Sequence, residues 1–210
     1  LPSILTYFIL MRIAMSFIFS HIGFQYARDI TKGDLSNYLH RPISYPMLKL
    51  CSEIGANSAR TVIGILVYGA IIFFFSDLFE FHLSIRLIPL AFVSLLFGFL
   101  INYCLAAMMG MLSFWMTDST RLIYIYFSLV TIFSGMAAPL DIFPKKIYAI
   151  LQWTPFPYTF YLPVKFLMNS IPTGKIASNL GTQMLVLFLV SIVAYLMYTF
   201  GLKKYEAVGK

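Results

Sequence analysis

Residues Leu87–Thr117, LIPLAFVSLLFGFLINYCLAAMMGMLSFWMT, contain no Asp, Glu, Lys or Arg. A helix rises about 1.5 Å per residue, so about 20 apolar residues cross a hydrocarbon core of about 30 Å. Working outward, the other charge-free runs are Ile13–Ala27, Thr61–Ser76, Leu122–Leu140, Ile147–Val164 and Ile176–Leu202. None alternates apolar and polar residues as a barrel strand would, and lipid offers backbone groups no partner outside the segment itself. The runs therefore predict helices, with spans near 4–25, 56–76, 87–110, 121–138 and 182–202. The expected fold class is an all-α integral membrane protein with five transmembrane helices, in a single domain over residues 1–210.

Composition supports this. The 210 residues are 60% hydrophobic and 11% charged, against roughly 25% charged in soluble domains. Such a chain cannot cover its own surface in water, which excludes a soluble enzyme, a disordered protein or a nucleic-acid-binding domain. The net charge of +7 comes from Lys and Arg scattered between apolar runs, with no basic face. Cys51 and Cys104 form no ligand spacing and read as two buried thiols acting as small hydrophobes. His21, His40 and His82 share no ligand spacing either.

Ile147–Val164 differs from the other runs. It holds Pro155, Pro157 and Pro163 with Trp153, Tyr158 and Tyr161, and three prolines so close cannot sit inside one straight helix. With Gly135–Asp141 before it, the segment reads as a re-entrant hairpin over 138–175, dipping in from one face. The alternative is a loop lying on the bilayer surface, aromatic rings at headgroup depth.

The most polar stretch is Tyr26–Leu50, YARDITKGDLSNYLHRPISYPMLKL. Gly33 suits the residue after a helix end, Asp34 or Ser36 can cap a new helix, and Pro42 stops it. Ser44 and Pro46 fit the start of the next helix. The result is a short amphipathic helix between two spans, either resting on lipid headgroups or docking a cytoplasmic protein. With 26–50 on the cytoplasmic side, Arg28, Lys32, Arg41, Lys49, Arg121, Lys203, Lys204 and Lys210 lie inside, and Arg86, Lys145, Lys146, Lys165 and Lys175 outside. This orientation satisfies the positive-inside bias and makes the C-terminus cytoplasmic.

The pattern Ile30-x-x-Gly33-Asp34-Leu35-x-x-Tyr38-Leu39-x-Arg41-Pro42-Ile43 resembles the first cytoplasmic loop of ABC transporter permeases of the type-2 exporter family. Ser134-Gly135-Met136-Ala137-Ala138-Pro139-Leu140-Asp141-Ile142-Phe143-Pro144, followed by Thr154-Pro155-Phe156-Pro157-Tyr158 and Tyr161-x-Pro163, is similar to the re-entrant extracytoplasmic hairpin before the last span in that family. The resemblance covers nearly the whole chain. Family members usually have six spans and an N-terminal interface helix, so that helix and a first span are expected ahead of Leu1. The alternative is a true five-span protein.

The resemblance implies the membrane subunit of an ATP-driven exporter in the cell (bacterial inner) membrane, paired with a second permease copy or a paralogue and driven by cytoplasmic ABC ATPase subunits that bind ATP and Mg. It implies a coupling helix at Gly33–Arg41, with Asp34 as cap, Leu35, Tyr38 and Leu39 as apolar plug, Arg41 as polar contact and Pro42 fixing the exit. It also implies an outer gate marked by Gly135, Pro139, Pro144, Pro155, Pro157 and Pro163. The chain itself is expected to be non-catalytic and to hold no cofactor. A P-loop needs Gly-x4-Gly-Lys-Ser/Thr, and Gly174-Lys175 and Gly209-Lys210 do not complete one.

Ser94, Gly98, Asn102, Ala106 and Gly110 recur every four residues, a spacing that lets helices approach closely in lipid. They read as packing within the subunit or, more sharply, as a pathway wall or dimer seam. Arg12 lies inside an apolar span, where a charge is costly. It either snorkels, pairs with a helix outside this sequence or faces a polar cavity. Arg60 is expected to snorkel. The competing function is a secondary transporter or channel, which would need buried acids; Asp77, Glu80, Asp118 and Asp141 all sit at span ends. An intramembrane enzyme would need a nucleophile with its base or paired acids, and none is visible.

Overall fold

The computed structural model describes residues 2–80 and 87–205. His82, Arg86 and Lys210, named above, lie outside the described residues. Among those described, every regular element is helical: α1 Pro2–Ile18, α2 Ile22–Thr31, α3 Leu35–Leu39, α4 Tyr45–Phe74, α5 Ile88–Met111, α6 Thr120–Phe133, α7 Lys145–Leu151, α8 Tyr161–Leu167 and α9 Ile176–Lys204.

Four segments are long and apolar enough to cross a membrane: Ser3–Thr31, Tyr45–Phe74, Ile88–Phe114 and Thr173–Lys204. The expected span 121–138 is instead the 14-residue α6, about 21 Å long. It stops at Phe133 because Ser134 leads into Gly135, whose φ of 87° only glycine adopts without strain. The expected span 4–25 is interrupted too: α1 and α2 are separated by Phe19, Ser20 and His21.

The apolar α5 is the axis of the bundle, packed by α9, α2, α8 and α1. Of its most apolar stretch 56% is buried, against 11% for α4 and α9, whose outer faces carry Ile63, Leu66, Phe73, Phe188 and Leu189 in the open. Small residues set the central crossings. A Cβ on Gly23 would lie 2.6 Å from the Ala106 carbonyl oxygen, and one on Gly110 would run into the Gly23 carbonyl, so α2 and α5 touch backbone to backbone.

Contacts sort the element ends into two groups. At one end α3 packs on α4, and the start of α4 meets the end of α9, with Tyr45 stacked on Tyr198 at 6.4 Å. At the other, Glu80 beyond α4 bonds Ser3 and Thr6 of α1, and Tyr7 donates to the Gly135 carbonyl (2.6 Å).

Candidate functional site

The polar linker between the first two long segments is built as the sequence suggests. Gly33 has φ 80° and follows the last residues of α2. The five residues of α3 then form one helical turn before Pro42. Asp34 occupies the position preceding α3 without a side-chain cap bond; the Ser36 hydroxyl donates instead to the Gly33 carbonyl (2.8 Å). Leu35 is fully buried and faces the subunit's own core. Tyr38 is half-buried against Tyr45 (5.4 Å between rings), with the Arg41 guanidinium over its ring at 5.2 Å. Of the three apolar residues assigned to the plug, only Leu39 is open, and it is joined by Ile43 and Met47, exposed by 45%, 54% and 53%. A polar hollow in the same linker is lined by Arg28, Lys32 and Arg41 together with the acids Asp29 and Asp34. Ile43 and Met47 went unnoticed because they lie outside the helical turn, in the extended exit and the first turn of α4.

Beneath the linker is a joint that went unrecognised. Lys49 of α4 pairs with Asp29 of α2 at 2.7 Å, both side chains under 10% exposed. The Tyr45 hydroxyl donates to the same carboxylate at 3.0 Å, and Lys49 also donates to Gln25 Oε1 (3.3 Å). A buried pair this well bonded loses heavily if either partner is removed, so α2 and the start of α4 are held as one piece around α3.

One to two turns deeper, the break between α1 and α2 frees backbone groups that must find partners. The Ser20 N–H donates to Asn102 Oδ1 (3.0 Å), and the Asn102 amide donates to Tyr126 Oη (3.0 Å). Asn57 Nδ2 donates to the Phe17 carbonyl (2.7 Å), and the His21 N–H donates to Glu53 Oε1 (3.3 Å). The Arg60 guanidinium reaches back along α4 toward the linker end, pairing with Glu53 at 3.2 Å and also meeting His21 and Asn57. Buried Glu53 sits within α4 because that helix begins eleven residues ahead of the expected span.

The four-residue stripe is buried along α5. Ser94 Oγ donates to Gln183 Oε1 (2.9 Å) of α9, and Gln183 Nε2 bonds the carbonyls of Ser94 and Tyr158. Gly98 receives the Thr159 backbone, Asn102 serves the break, and Ala106 and Gly110 receive α2. Arg12 faces outward between α1 and α4.

The prolines of 138–175 punctuate short elements. Pro139, Pro144 and Pro155 directly precede helical turns, and Pro157 and Pro163 sit in first turns, where a missing N–H costs nothing. Phe160, fully buried, lies 6.3 Å from the Phe19 ring at the α1–α2 break. Asp141 accepts from Tyr161 and pairs with Lys165 at 2.5 Å. Burial alone would raise the Asp141 pKa, but the bonds from Lys165 and Tyr161 outweigh it and hold it below the usual carboxylate value. Burial, and then the bond to Asp141, push the Tyr161 phenol up, so it stays a donor.

These features define a multi-pass helical membrane protein whose central helix is gripped by small-residue packing, with a polar linker at one end and a folded strap at the other. The chain belongs to a transporter family: the model described as ABC-2 family transporter protein matches residues 1–209. It is thus a membrane protein of an ABC transporter family, and its role is in transport rather than catalysis. Comparison with curated proteins and with solved structures finds no match.

Proposed function

We propose that this chain is the permease subunit of an ATP-driven exporter, working as a dimer with a second permease and driven by a separate ABC ATPase that docks on the 26–50 linker. The linker and C-terminus face the cytoplasm, and the 138–175 strap is a re-entrant outer gate. ATP and Mg belong to the ATPase. The observation that carries this reading is the α3 linker, with Leu39, Ile43 and Met47 exposed and a hollow of mixed charge in the same linker. A cytoplasmic groove could cover that patch, and the Asp29–Lys49 joint would pass its movement on to α2 and α4.

A path from that joint to the outer face is continuous. Movement of α2 bears on the break at Phe19–His21, and Phe160 of the strap rests on Phe19. Re-entry of the strap is supported by Gly98, which receives the Thr159 backbone although it lies ten residues into α5, about 15 Å along its axis. ATP binding can drive the cycle only through unequal affinity for the two arrangements. A secondary transporter or channel is the weaker reading: Asp29 and Glu53, the acids buried in the long segments, are each paired with a cation.

The test is Leu39→Asp combined with Met47→Asp, both exposed and so compatible with folding. The expected result is loss of ATPase co-purification and of transport-coupled ATP turnover, with the permease still monodisperse in detergent. Retention of both would refute the docking assignment.

A further inference from the structure

Between α1 and α4 runs a groove of about 400 Å³, lined by Arg12, Ser16, Phe19, Arg60, Ile63 and Val67 among others, with no acidic residue in its lining. The groove is open along one side, and the two helices meet closely at one point on its floor, where a Cβ on Gly64 would lie 2.8 Å from Ser16 Oγ. Arg12 stands one helical turn from Ser16 on one side of that contact, and Arg60 one turn from Gly64 on the other. Arg60 is already matched by Glu53 (3.2 Å). Arg12 has no hydrogen bond or ion pair among the described residues and is exposed. The groove therefore carries one unbalanced positive charge, far from either end of a long apolar segment, where an unmatched charge is expensive. Its α4 wall is apolar and open sideways: Ile63 and Val67 are 62% and 51% exposed, and their neighbour Leu66 is 68% exposed.

On the reading that this chain is a permease in a bilayer, we propose that this groove binds a monoanionic amphiphile. Its single phosphodiester, carboxylate or sulfate sits on Arg12, and its hydrocarbon chain lies along Ile63 and Val67, entering from the lipid side. The charge count decides the class. One guanidinium free of partners balances one negative charge, whereas a diphosphate would leave excess charge in an apolar setting. A guanidinium also binds two oxygens of one such group at once. The apolar wall separates this ligand from a free anion, which would gain nothing from Ile63 and Val67.

The test is equilibrium binding of lysophosphatidylglycerol to the full chain, purified with its ATPase in neutral detergent. The comparators are lysophosphatidylcholine and inorganic phosphate. The expected result is preference for lysophosphatidylglycerol over the zwitterionic lipid and no displacement by phosphate. Arg12→Gln should weaken binding about tenfold, and Arg12→Lys should restore most of it. Val67→Trp should weaken binding with the charge intact, by filling the groove. Equal binding by wild type, Arg12→Gln and Val67→Trp overturns the proposal, as does displacement by phosphate. ATPase co-purification, read on the same samples, reports on the cytoplasmic linker alone. Lost lipid preference with the ATPase retained counts against this groove only, and the reverse against the docking assignment only.

Discussion

At the scale of single residues, the linker's chemistry is divided between side chains that hold it and side chains that are offered outward. Leu35 and Leu39 lie on the same short helix and read alike in sequence, yet Leu35 is fully buried and Leu39 is 45% exposed. A helix of five residues is too short for periodicity to fix which face turns inward; the packing of α2 and α4 decides it. Asp29 and Lys49 read as ordinary loop charges because their partnership spans twenty residues and depends on both helices converging. Their burial yields a prediction. Lys49→Met leaves the Asp29 carboxylate buried with only the exposed Arg28 guanidinium at 3.9 Å as counter-charge and should destabilise the protein by about 3 kcal/mol. Asp29→Asn combined with Lys49→Met should recover most of the loss, since it removes both charges together. Thermal unfolding in detergent measures this, and equal destabilisation of single and double variants would show that the pair does not hold the joint.

At the scale of elements, the long segments were legible because lipid demands uninterrupted apolar length, and charge-free runs report it directly. The turn at Gly33 and the stop at Pro42 were legible because each residue has a specific backbone preference. The break at Phe19–His21 was not: no glycine or proline marks it, and Ile13–Ala27 reads as one smooth run. The interruption persists because Asn102, Asn57 and Glu53, distant in sequence, receive the freed backbone groups. The shortness of α6 was hidden for a related reason, since the apolar run continues past Phe133 into the start of the strap. The small residues of α5 suggested close approach, and the crossing with α2 supplies the test. Gly110→Ala places a methyl against the Gly23 carbonyl and 2.6 Å from Tyr26 Cβ. Backbone cannot yield as a flexible side chain can, so a loss of about 1–3 kcal/mol is expected. Gly69→Ala and Gly181→Ala, where a Cβ meets nothing within 4 Å, should be neutral or slightly stabilising, since alanine is the better helix former. Similar melting temperatures for all three would contradict the close crossing.

At the scale of the whole molecule, the two ends of the bundle are pinned by ion pairs of different character, and this gives them different responses to acid. The Asp29–Lys49 pair is sealed, its carboxylate side chain only 5% exposed, whereas the Asp141 side chain in the strap is 53% exposed. Asp141 has a pKa below the usual carboxylate value, with the bonds from Lys165 and Tyr161 prevailing over burial. A carboxylate with a depressed pKa stabilises the folded form fully above its unfolded pKa, and that contribution fades as pH falls through the lower, folded value. The strap should therefore be fully pinned at neutral pH, begin to loosen as pH enters the ordinary carboxylate range, and lose the contribution once pH is below the lower, folded value. Hydrogen–deuterium exchange across 141–165 would register the loosening, with 26–50 unchanged at the same pH. Asp141→Asn removes the charge without altering the shape and should give the loosened pattern at neutral pH. Because the Asp141 side chain is about half open to solvent, the change should be small and weakened further by salt. A strap that exchanges identically in wild type and Asp141→Asn at neutral pH would mean that its prolines and the Phe160 contact hold it without the ion pair.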